Sequence, residues 1–556
     1  MSDDNPSRLA AVRQLFGFGR KAWLAVLALT AFAGVLIVYS YGFLEIELGR
    51  TRVVQPAEGP PLPDLSDSSQ ADADTLQVQR PPRFKLCREL PIPAGYWNLT
   101  TADHSAFVDI PQRSDIGVGE SVCVRVIVPG QHTQAPMTFV PYPNAPWDSV
   151  LLDLVGGNTN VSVPAALQMT EHTHNYFRDR THIYEADVVL RDADTYHAEG
   201  YIEFRQARWN AEAFLDPQPF EPEQLDIPDV KVNVQDDDGL SPYSLKRYPD
   251  LPLCTDSDAD GRWVAVSTLP FDAALVPPAD NHGLVWLPYE CRLQRITYTA
   301  FAQCLARKYP LVHWFGDSNT RRALKKVSTL GAWCSENPED IVCTCNDNSE
   351  AFANYKTNER TAPFDLDPVA GGAVATSAPS TNASRIVAFK WDGLTTRNSP
   401  PWAEYFTSDF TERLGHPKLA VFGMTNWDTA FETRAFFAGE VAKLADVVDS
   451  TYPGTDVVLR TGQYYCCTSD MDKFWKRRYS RLRNHYFDQT LVDHFKTKFA
   501  GTRNVLVWNV ARLSERRPYK LREEDVTKCA ANHVRSEIIE IENQVLMNAL
   551  CNNAMD

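Results

Sequence analysis

Five short apolar runs punctuate the second half of the chain: LVHWF (311–315), RIVAFKW (385–391), KLAVFGM (418–424), DVVLRTG (456–462) and NVLVWNV (504–510). Each is nearly continuous rather than alternating, the pattern of a strand covered on both faces. Longer amphipathic stretches separate them, such as WKRRYSRLRNHYFDQTLVDHFKTKF (475–499). The last segment places Val534, Ile538, Ile541, Val545 and Ala549 at helical spacing, which predicts a C-terminal packing helix. Buried strands joined by helical crossovers predict an α/β domain over 250–556, a doubly wound and mostly parallel sheet with helices on both faces. The first half reads differently. SVCVRVIVPG (121–130), WDSVLLDLVGG (147–157), HIYEADVVLRD (182–192) and YHAEGYIEFRQARW (196–209) set β-branched and aromatic residues between turn clusters. That spacing predicts an all-β antiparallel sandwich over 83–212. A connector rich in Pro and Asp, 213–249, reads as a linker to the second domain.

Residues 22–44 form 23 consecutive uncharged residues, enough helix to cross a bilayer core of roughly 30 Å. Arg8, Arg13, Arg20 and Lys21 precede the run, so the positive-inside bias predicts a cytoplasmic tail over 1–21 and a lumenal remainder. The run is longer than a cleaved signal's apolar core and no small-x-small site follows it closely, which favours a retained signal anchor. Residues 45–82, rich in Pro, Asp and Ser, read as a disordered stalk. All 12 cysteines follow residue 86, and an even count in a secretory context reads as disulfides of undetermined connectivity. CTC at 343–345 and Cys466–Cys467 lack finger spacing, so no metal site is expected. Sequons at Asn98, Asn160 and Asn382 suit glycosylation. A net charge of −16 argues against a nucleic-acid partner.

The candidate chemistry begins at FGDSNTRR (315–322). Gly316 allows a tight strand-to-helix turn, and Ser318 would open the next helix, where free N–H groups can hold a developing oxyanion. A hydroxyl there becomes a useful nucleophile when a base takes its proton. The plainer alternative is that Ser318 caps the helix. DSDADGRWVAVS (256–267) has the acidic start of a calcium loop, but Ser267 stands where a bidentate Glu is needed, so a solvated acidic turn is favoured.

Around that stretch the chain carries Cys254, Gly261, Trp263, Trp286, Pro288 and Cys291, then Gly316, Asp317, Ser318 and Arg321. This succession resembles the PC-esterase branch of the SGNH/GDSL superfamily, and with the preceding sandwich it is most similar to the neurexophilin-and-PC-esterase family. Over 250–556 the likeness rests on motifs; over 83–212 it rests on architecture. The resemblance implies an SGNH/flavodoxin-like α/β fold preceded by an Ig-like sandwich and a transmembrane helix. It implies a Golgi single-pass membrane protein, a glycan O-acetyltransferase or acetylesterase working through an acetyl-serine. A glycan acceptor is the implied partner. No cofactor is bound in this scheme; an acetyl donor, with acetyl-CoA as one candidate, is a co-substrate. Ser318 would attack the acyl donor and His533 would serve as base, then acid. Gly423 and Asn426 would form the oxyanion hole with the Ser318 N–H, and Arg321 would steady the loop or substrate. The family's Asp-x-x-His ends here as Ala530-x-x-His533. Asp525, Glu537 (on His533's helix face if that helix starts early) or a backbone carbonyl would then orient the imidazole. Ala530 equally motivates a second reading, a catalytically weakened module that binds glycan or protein.

Overall fold

The structure, a computed structural model, describes residues 85–552 except 102–103, 113–115, 131–147, 171–180, 206–222, 230, 237–240, 333–360, 368–371, 375–382, 392, 396–401, 465–479, 525 and 528–529. Among the described residues no helix is long and apolar enough to cross a membrane. The expected tail, anchor and stalk lie outside the described residues, as do Asn382 and Asp525.

The N-terminal strands are β1 (Phe107–Asp109), β2 (Ile116–Gly117), β3 (Ser121–Val128), β4 (Ser149–Gly156), β5 (Ser162–Pro164), β6 (Gln168–Met169), β7 (His182–Val189), β8 (Thr195–Phe204), β9 (Glu223–Gln224) and β10 (Lys231–Gln235). They form two sheets, β1-β3-β7-β6 and β2-β10-β8-β4-β5, with β9 also on β8. One apolar core joins the two: Val124 and Val126 of β3 and Tyr184 of β7 pack with Leu152 and Leu154 of β4 and Ile202 of β8. Alternate residues of each strand reach that core because side chains switch faces at every step. A disulfide ties Cys87 to Cys123 of β3. The expected linker 213–249 is in part sheet: β9 and β10 both pair with β8. The alternation in KVNVQ, with Val232 and Val234 buried, explains why β10 belongs there.

A hairpin, β11 (Gly261–Ala265) and β12 (Leu284–Pro288), is bracketed by the Cys254–Cys291 disulfide. The second layer follows with α1 (Tyr298–Lys308), β13 (Leu311–Gly316), α2 (Ser318–Ser328), β14 (Thr361–Asp367), β15 (Gly372–Val374), β16 (Ser384–Lys390), α3 (Ser408–Leu414), β17 (Leu419–Gly423), α4 (Thr425–Phe431), α5 (Arg434–Thr451), β18 (Asp456–Arg460), α6 (Arg481–Lys498), β19 (Val505–Trp508), α7 (Val510–Glu515), α8 (Tyr519–Glu524), β20 (Val526–Thr527), β21 (Ala530–Val534) and α9 (Ser536–Cys551). The large sheet runs β15-β14-β16-β13-β17-β18-β19. Its five apolar runs are parallel, and β14 and β15 pair antiparallel at one side. Helices cover both faces: Val312, Trp314 and Val421 pack toward α1, α2 and α9. Phe315, Ala420 and Phe422 pack toward α5 and α6. β13 lies between β16 and β17, so the strand order reverses direction at its carboxyl end, where open α/β sheets form their crevice. The Cys304–Cys551 disulfide fastens the end of α9 to α1. Val534, expected on that helix, stands before it on β21.

Candidate active site

Gly316 ends β13 directly beside Gly423, the last residue of β17. A Cβ on Gly316 would sit 2.3 Å from Thr320 Cβ, and one on Gly423 would sit 2.3 Å from Thr320 Oγ1. Two bare backbones therefore make the floor on which the first turn of α2 rests. Asp317 caps that turn, accepting from the Thr320 N–H at 3.0 Å. The Thr320 hydroxyl lies 3.1 Å from Asp317 Oδ1 and 2.9 Å from the Gly423 carbonyl. The Asp317 N–H donates to that same carbonyl at 3.0 Å.

With Asp317 as cap, Ser318 is the first helical residue and its hydroxyl has no capping duty. Its Oγ lies 2.7 Å from Nε2 of His533, the strongest geometric fact of the site. With the Nε2 lone pair free, the hydroxyl donates to the imidazole, the contact that activates a nucleophile. Both side chains are partly exposed, so a substrate can approach them.

The strand that carries His533 is gripped by the helix that carries Ser318. Arg322, one turn along α2, is buried and donates to the Val534 carbonyl at 3.2 Å. Lys326, a further turn along, donates to the Ser536 carbonyl at 3.0 Å and pairs with Glu540 at 3.1 Å. Ser318, Arg322 and Lys326 share one helix face because they are spaced by four. The far side of the hairpin is closed by Val526 opposite Val534. Neither cation was among the candidates from sequence, although their spacing from Ser318 was a signal for them.

Other candidates fare differently. Arg321 is buried and donates to the Gly316 carbonyl at 2.6 Å, so it steadies the turn from inside. Asn426 is also buried: its amide donates to the Gln463 carbonyl at 2.8 Å, and its Oδ1 accepts the Gln463 N–H at 2.9 Å. That paired clip joins the β17 and β18 ends and uses one of the two Nδ2 protons of Asn426. Gly423 supplies clearance and a carbonyl to α2. Glu537 is in the first turn of α9, whereas His533 is on β21, so the two do not share the helix face expected of them. Ala530 lies on β21 with His533. Asn98 and Asn160 are exposed. The acidic turn is held by arginines: Asp258 by Arg512 at 3.0 Å, and Asp260 by Arg191 at 2.5 Å and Arg516 at 2.7 Å.

Beneath the site lies a buried ionic layer. Burial pushes the Asp317 carboxyl up to about 6, against the pull of Arg460. Burial likewise raises Glu542, opposed by Arg460 and Arg322, and Arg460 Nη2 donates to Glu542 at 2.9 Å and to Gln463 Oε1 at 3.1 Å. Asp488, raised by burial to about 7, accepts from the Thr425 hydroxyl at 2.7 Å and the Gly462 N–H at 2.8 Å. Of these acids Asp317 follows the end of β13, whereas Asp488 is on α6 and Glu542 on α9. Cavities of about 770 and 1220 Å³ are found on the sandwich side; Ser318 and His533 line neither. Comparison with protein-family models gives no match, and no curated protein matches the chain.

Proposed function

We propose that the chain is a Golgi membrane enzyme of SGNH type whose lumenal domain moves acetyl groups onto, or off, glycan hydroxyls. The observation that carries this reading is the 2.7 Å contact between Ser318 Oγ and His533 Nε2, formed by residues 215 positions apart. Ser318 Oγ attacks the acetyl carbonyl while its proton passes to Nε2. The Ser318 N–H, in the first turn of α2 and without an intrahelical acceptor, serves as a donor to the developing oxyanion. His533 returns the proton to the leaving group, and acetyl-serine remains. A sugar hydroxyl or water then attacks that ester, again giving its proton to His533, and Ser318 is restored. A sugar acceptor makes the chain a transferase and water makes it an esterase; the resemblance to the neurexophilin-and-PC-esterase family favours transfer. The Ig-like sandwich and an anchor at 22–44 complete the architecture.

Ala530 favours one competing reading. In the serine-protease template, amide replacement of the carboxylate behind the histidine costs roughly 10⁴-fold in rate, so a site without the family's Asp suits a binding module that has lost turnover. Glycan mass spectrometry decides between them. Cells expressing the wild-type chain should carry acetyl-sized mass differences on lumenal glycans that Ser318→Ala and His533→Ala cells lack. Identical glycan acetylation in all three would leave only the binding module.

A further inference from the structure

The outer face of a sandwich sheet is ordinarily polar and solvated. Here five outward residues of β4 and β8, Ser149, Leu151, Asp153, Tyr201 and Glu203, are buried. The α/β layer covers them. Leu151 and Tyr201 pack against Tyr464. Glu203 accepts from the Ser149 hydroxyl at 2.7 Å, the Tyr464 hydroxyl at 3.0 Å and the Arg481 N–H at 3.0 Å. Asp153 accepts from Arg522 Nη2 at 2.6 Å and from the Ser162 hydroxyl at 3.2 Å, with Arg481 Nη1 4.0 Å away. Arg522 also donates from Nε to the Arg517 carbonyl at 2.7 Å and from Nη2 to the Glu515 carbonyl. One guanidinium thus ties the sandwich to the turn after α7 and to its own helix α8.

Four residues beyond Arg522 stands Val526 of β20, whose Cα partner is Val534, the neighbour of His533. We infer that Asp153 is a positioning residue for the base: the sandwich sets the place of His533 through Arg522, α8 and the β20–β21 hairpin. The inference rests on the reading of Ser318 and His533 as a catalytic pair. It gives the sandwich a part in the chemistry, since α2 holds the His533 strand from one side and the sandwich holds the hairpin's approach from the other.

The test is reaction of the full chain with a fluorophosphonate probe, which phosphonylates an activated serine hydroxyl with loss of fluoride. Its inactivation rate constant and half-saturating concentration are measured separately, alongside amide exchange at Val526 and Val534 and unfolding by urea. Asp153→Asn should lower the rate constant roughly 10- to 100-fold, the scale of small misplacements of reacting groups. It should leave half-saturation unchanged and speed exchange at both valines. A wild-type rate constant in a variant that unfolds cooperatively overturns the inference, as does a loss that appears equally in half-saturation. If wild-type Ser318 takes no probe, the catalytic reading falls first and the inference with it. Should Asp153→Asn not fold, Arg522→Lys asks the same question, keeping the charge beside Asp153 while losing the fork to Arg517 and Glu515. An unchanged rate constant there is equally fatal.

Discussion

Asp317 offers a prediction whose size can be worked from the structure. Its carboxyl is 1% exposed and caps α2, and burial moves its pKa from 3.8 to about 6. The folded state therefore holds the proton more tightly than the unfolded one. The consequence is a penalty on folding, absent below pH 3.8, growing as pH rises to about 6, and complete above that. A rise of about two units corresponds to about 3 kcal/mol. Asp317→Asn keeps an acceptor for the Thr320 N–H but has no proton to lose. Replacing the carboxyl by an amide adds an offset of its own, which is the same at every pH. Urea unfolding of wild type and Asp317→Asn at about pH 3.5 and about pH 7.5 separates the two effects. The variant should gain on wild type by about 3 kcal/mol between the lower and the higher pH. Titration of Asp488 and Glu542 cancels in the comparison, provided neither touches the substituted group. A difference between the two proteins that does not move with pH would refute the reasoning, for it would mean the carboxyl does not titrate in this window.

Two further outcomes follow from the elements around His533. The Cys304–Cys551 bridge spans 247 positions, and on a chain-entropy account a loop of that size contributes about 5.5 kcal/mol; the Cys304→Ala/Cys551→Ala double variant should unfold at much lower urea, and an unchanged midpoint would show that the bridge does not constrain the chain. Arg322→Met removes the donor to the Val534 carbonyl and a cation facing Glu542, a loss of about 1.5–3 kcal/mol for a charged hydrogen bond. It should slow probe labelling of Ser318 more than Arg322→Lys does, and equal rates in the two variants would deny that the guanidinium holds the His533 strand.

Much of the fold was legible because burial on two faces writes itself as unbroken apolar runs. LVHWF, RIVAFKW, KLAVFGM, DVVLRTG and NVLVWNV became β13, β16, β17, β18 and β19. Strands that lack such a run were hidden. β14 contains Pro363, a residue that counts against a strand interior, yet pairs with Val387 of β16. β10 is five residues in a stretch whose composition reads as linker. Its alternation is too short to outweigh the surrounding Pro and Asp, and its neighbours β8 and β2 reveal it.

The site divides along a different line. Ser318 was visible because a small local pattern, glycine then acid then serine after an apolar run, encodes a strand-to-helix turn in a few adjacent residues. His533 was visible as a residue type at the position where the resemblance expects a histidine. What decides their use is not local. Asn426 has the right chemistry for an oxyanion donor, but its pairing with Gln463 spans 37 positions. Arg460 meets Glu542 across 82 positions and Arg322 meets Val534 across 212. No window of sequence contains both partners of any of these contacts. The same distance argument bears on Ala530. An acid three residues before the histidine is one local way to orient an imidazole, and its absence reads as loss when only the local pattern is seen. In the folded chain the strand carrying His533 is held by a cation from α2, a β-bridge from Val526 and a closing helix fastened through Cys551. Each constraint comes from a different region, and together they restrict where the imidazole can go. Buried acids at Asp317, Asp488 and Glu542 oppose folding through their desolvation, and all three draw on the charge of one buried cation, Arg460.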